Sequence, residues 1–135
     1  MLRRDFISKI IEQMVNAIAR LIKIDIEKEQ EKFSEDFDEF LHTYFQFSDA
    51  DLAQLTEENE DRDGLLLNEN LKDQLVHLFA NAGWVFQNNQ QTEKAKNCLK
   101  IIQRIQNRHS SIYTFPNEES EKVLSKIEAL KSKLK

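Results

Sequence analysis

Residues that interrupt helices are almost missing from this chain, which has two glycines and one proline in 135 positions. With only Gly64 and Gly83, no glycine-rich phosphate loop can be built. The single cysteine, Cys98, excludes an internal disulfide and fits a reducing compartment. No apolar run approaches the roughly twenty residues that a membrane span needs. What remains is rich in Glu, Lys, Gln, Leu and Ile, whose side chains lose little freedom in a helix. A chain of this length fits one domain that buries roughly two thirds of its unfolded surface. An all-α domain is expected.

The net charge of −5 conceals a strong asymmetry. Residues 27–63 carry fourteen acids against three bases, a balance of −11, whereas residues 94–135 carry ten bases against four acids, a balance of +6. Such a bipolar chain either docks head to tail or pairs its two ends within the fold. The basic end, Lys122–Lys135, lacks the interleaved aromatics and base-reading residues of a nucleic-acid surface, so no nucleic-acid partner is expected.

At the N-terminus, Arg3-Arg4-Asp5-Phe6-Ile7 resembles the start of a twin-arginine export signal. Glu12, Arg20 and Lys23 break the apolar run that such a signal requires, and no small-residue cleavage site follows. The segment therefore reads as an amphipathic first helix over about residues 4–26, and the protein as soluble and cytoplasmic. Its broad apolar face (Phe6, Ile7, Ile10, Ile11, Met14, Val15, Ile18, Leu21, Ile22) suits two neighbours or a dimer contact.

A second helix over about residues 30–46 places Phe33, Phe37, Phe40, Leu41, Tyr44 and Phe45 on one side as core. Ser48 and Asp51 signal a short helix ending near Leu55, and residues 57–67 read as an acidic linker. The third helix runs from about Asn68 to Asn88, with Leu71, Leu75, Leu78, Phe79, Ala82 and Phe86 on one face. Thr92 is placed to cap a fourth helix carrying Ala95, Cys98, Leu99, Ile102 and Ile105. His109–Phe115 connects to Pro116, and Asn117 starts a last helix, 117–135, with a seam of Val123, Ile127, Leu130 and Leu134. The architecture expected is antiparallel helical hairpins, about five to six helices in all, with a terminal capping helix.

Phe79, Gly83, Phe86, Ala95, Leu99 and Ile102 are spaced like the core positions of a helical hairpin in which small residues allow close approach and large ones fill the space around it. This pattern resembles the tetratricopeptide repeat. A degraded copy over residues 17–50 keeps Phe33 and Phe40 but has Ile24 and Asp36 where small residues belong. Over nearly its whole length the chain also looks like a small bacterial family with tetratricopeptide-like helices, through its Met1-to-Gln13 opening, acidic middle and Gly83 hairpin. That resemblance implies a fold and carries no activity. The repeat likeness implies that His77, Asn81, Trp84 and Asn88, a second stripe at spacings of four, three and four, line a concave surface for a protein or peptide partner. Asn81 fits a position used to grip a peptide backbone or carboxylate. Trp84 reads either as a binding anchor or as packing against a neighbouring helix.

Chemistry-bearing constellations are sparse. Asn59, Asp61, Asp63 and Gly64 partly match a calcium loop, but Asn70 stands where the bidentate Glu belongs. His42, His77 and His109 show no metal-ligand spacing, and Cys98 repeats its helix's core stripe. No metal, cofactor or catalytic residue is expected. The sequence points to a non-enzymatic partner-binding adaptor, with a self-associating homodimer as the alternative.

Overall fold

A computed structural model describes residues 4–45, 52–57 and 60–108, and Ser132. All regular structure in the described part is helical, with no strand: α1 (Arg4–Lys23), α2 (Gln30–Phe45), a 3-10 helix (Leu52–Thr56), α3 (Glu60–Leu66), α4 (Lys72–Asn88) and α5 (Thr92–Arg108). Among the described residues no helix is long and apolar enough to cross a membrane. The Ser48 cap, the 109–115 connector, Pro116, the Asn117 cap and, apart from Ser132, the helix expected over 117–135 lie outside the described residues.

α4 is the centre of the described part. It packs against α1, α2 and α5, and most of its residues between Lys72 and Phe86 are buried. That burial follows from its sequence, in which apolar and small residues occupy nearly every side of the helix rather than one stripe. The phenylalanine row of α2 meets it: Phe37 stacks on Phe33 at 5.7 Å and presents edges to Phe79 at 5.8 Å and to Phe86 at 6.1 Å. Offset and edge contacts of this kind add to the gain from burial because ring edges are positive and faces negative. α1 contributes fully buried Met14 and Ile18, with Leu21 close behind.

Turn chemistry fixes the connections. Between α1 and α2, Asp25 Oδ1 accepts the Glu27 N–H at 3.0 Å, and the Asp25 carbonyl accepts from Lys28 and Glu29. α4 ends in a Schellman motif: Gln91 N–H donates to the Phe86 carbonyl at 2.8 Å and Gln90 N–H to that of Gln87 at 3.1 Å. Gln90 takes the left-handed position with φ 62°. The turn from α4 to α5 is three residues long, so the two helices pack against each other.

Two local expectations are revised. α3 occupies the stretch read as an acidic linker, because Leu65 and Leu66 are buried and tie it to the core. Gly64 therefore lies in a helix, without positive φ, and not at the sharp turn of a calcium loop. Thr92 is the first helical residue of α5 rather than its cap, and the Gln91 carbonyl accepts the first helical bond, from Ala95 N–H.

Candidate functional site

The four-three-four spacing on a helix of 3.6 residues per turn sets His77, Asn81, Trp84 and Asn88 on one side of α4, and α4 spans all four. Their exposure differs. Asn88 is exposed, His77 and Trp84 are half-buried, and Asn81 is only 2% exposed and engaged within the protein. The Asn81 amide is thus not at an open surface. Asp73, which also falls on this side, is exposed at the start of the helix.

Trp84 stands apart from its neighbours on α4. Leu75, Val76, Leu78, Phe79, Val85 and Phe86 are all at most 4% exposed, while Trp84 packs against the core yet keeps part of its indole uncovered. One turn further on, Gln87 Oε1 is enclosed without a hydrogen-bond donor among the described residues, and Gln74 Oε1 near the start of the helix is enclosed in the same way. An enclosed acceptor without a donor costs about 1–3 kcal/mol, so these amides favour any arrangement that brings them an N–H.

Two open grooves flank α2. One, of about 380 Å³, lies between α1 and α2, with Ala17, Leu21, Phe40 and Tyr44 as apolar lining and Arg20, Asp36 and Glu39 among its polar residues. The other, of about 390 Å³, lies between α2 and the α4–α5 turn; Glu31, Glu35, Asp38, Phe86, Asn89 and Lys94 are among its lining. There Lys94 Nζ sits 5.5 Å from the centre of the Phe86 ring. Trp84 and His77 line neither groove.

One polar contact was not readable from sequence patterns. Arg104 on α5 donates to the Leu55 carbonyl at 2.7 Å and to Asp63 Oδ2 at 2.9 Å, joining α5 to the 3-10 helix and to α3. Both side chains are about four-fifths covered. The only sequence signal was the opposite charge of the two segments, which allowed their pairing within the fold.

Among the described residues no cluster of three or more His, Cys, Asp or Glu could hold a metal ion. His42 is exposed, His77 is half-buried, and His109 lies outside the described residues. Cys98 is fully buried, and burial pushes its thiol well above the ordinary range despite the opposing influence of Lys94. A thiol held protonated in an apolar setting is a poor nucleophile. No family model, curated protein or solved structure matches this chain.

Proposed function

We propose that the protein is a non-enzymatic helical adaptor that binds a protein or peptide segment along the outer side of α4, around Trp84. On this reading α4 and α5 form an antiparallel, tetratricopeptide-like hairpin, and the chain works in a reducing compartment such as the cytoplasm, in keeping with its single buried thiol. The observation that carries the proposal is the incomplete burial of Trp84 on a helix whose other large apolar side chains are fully covered. A half-covered indole has area and an N–H still to offer, the combination that recurs at binding hot spots.

Trp84 is the only tryptophan, so its emission reports on this site alone. Affinity capture from the native cell should recover a defined partner with the wild-type chain and lose it with Trp84→Ala. The purified partner should shift the Trp84 emission. Retained capture by a folded Trp84→Ala variant would refute the proposal.

A second reading is favoured by α1. Ile11, Val15 and Ile22 share one side of that helix and remain only half-buried, an apolar strip that a second copy could cover. Light scattering at tens of micromolar should then give twice the 16.0 kDa chain mass, and Val15→Glu should return it to one. A wild-type chain that stays monomeric would remove this reading.

A further inference from the structure

We propose that the groove between α1 and α2 is a second binding surface, which receives a lysine or arginine side chain from a partner peptide. The inference does not rest on the Trp84 reading, because every residue lining this groove belongs to α1 or α2. The argument starts from the spacing of α2, where Asp36, Phe40 and Tyr44 follow one another at four-residue steps and so form a single wall, with Glu39 beside them.

That wall has two chemistries in series. Phe40 and Tyr44 lie with ring centres 5.1 Å apart, Phe40 buried and Tyr44 half-buried, and together with Leu21 they give an apolar bed. Asp36 and Glu39 stand at the same wall, half-buried and exposed, and neither is in an ion pair among the described residues. An alkyl stem lying on aromatic rings with its cationic head at carboxylates is the arrangement that long basic side chains adopt. The same fold already shows half of it across α2, where Lys94 Nζ lies 5.5 Å from the Phe86 ring centre.

Charge selects the sign of the occupant. α2 carries Glu31, Glu35, Asp36, Asp38 and Glu39 against Lys32 alone, so a cation approaching either groove meets a negative helix. Arg20, on the α1 side, is the one base of this lining, against the two acids Asp36 and Glu39, so the groove keeps a net negative charge. A volume of about 380 Å³ accommodates one long side chain and the backbone that bears it.

The test uses the full chain, labelled with ¹⁵N, and a blocked pentapeptide Ala-Leu-Lys-Leu-Ala, with the norleucine analogue replacing lysine as its uncharged control. The lysine peptide should shift the amides of Ala17, Leu21, Phe40 and Tyr44, with a weak affinity that falls as salt is raised. Asp36→Asn with Glu39→Gln should weaken that binding roughly tenfold or more. Glu39→Gln alone, at an exposed position, gives a smaller loss and serves if the double variant is poorly folded. Equal shifts from the norleucine peptide, shifts elsewhere in the protein, or no shifts at all would overturn the proposal. Trp84→Ala should leave these shifts unchanged, so the failure of either site is distinguishable from that of the other.

Discussion

Gln90 and Gly64 have exchanged the residues their backbones favour. Gln90 holds a left-handed φ of 62°, where a side chain is strained and glycine is not. Gly64 sits inside α3 without positive φ, and a Cβ added there would meet nothing within 4 Å. Gln90→Gly should therefore raise stability by up to about 1 kcal/mol, and Gly64→Ala by about 0.5–1 kcal/mol. Urea unfolding checks both, and a loss of stability from either would contradict this reading of the local backbone. Cys98 gives a pH signature at the same scale. Its folded thiol titrates above the unfolded value near 9, so the folded state keeps a proton that the unfolded state releases. That contribution is complete below the unfolded pKa and declines as pH rises above it, by about 1.4 kcal/mol per pH unit until the folded thiol itself titrates. Comparing wild type with Cys98→Ala between pH 8 and 10 isolates the slope, and identical pH profiles would contradict it. In the folded protein a thiol reagent should react only at the rate of unfolding.

Helix α5 does more than pair with α4, because Arg104 fastens the 3-10 helix and α3 to the rest of the molecule. Arg104→Met keeps most of the packing area but removes this donor from the Leu55 carbonyl and this cation from Asp63. We expect a loss of about 1–2 kcal/mol, discounted for the remaining solvent access, together with faster hydrogen exchange across α3. Unchanged exchange in α3 would show that buried Leu65 and Leu66 suffice to hold it. The contact also shows where reading the sequence stops. Its partners lie 41 and 49 residues from Arg104, and no local periodicity reports such a distance. The four long described helices were legible because apolar residues recur at three- and four-residue steps over many turns. α3 was not, since five of the seven residues of EDRDGLL are charged or glycine and its two anchoring leucines come only at the end.

For the molecule as a whole, the all-α class was legible because helix-forming Glu, Lys, Gln and Leu dominate, the apolar residues recur at helical spacing, and too few glycines and prolines are present to divide long helices. The alignment of His77, Asn81, Trp84 and Asn88 on α4 follows from spacing alone. Their different exposures do not, because burial depends on which neighbours α4 acquires, and α4 proves to be the helix surrounded by the others. That is why Asn81 lies inside and Trp84 at the boundary. The proposed recognition surface is the side of α4 that the other described elements leave incompletely covered. Its most direct test is a photo-crosslinking amino acid placed at Trp84 in the native cell, with exposed Gln103 on α5 as the control position. We predict a discrete crosslinked partner at position 84 that is missing at position 103. The same adducts at both positions, or none at position 84 in a folded chain, would contradict the account.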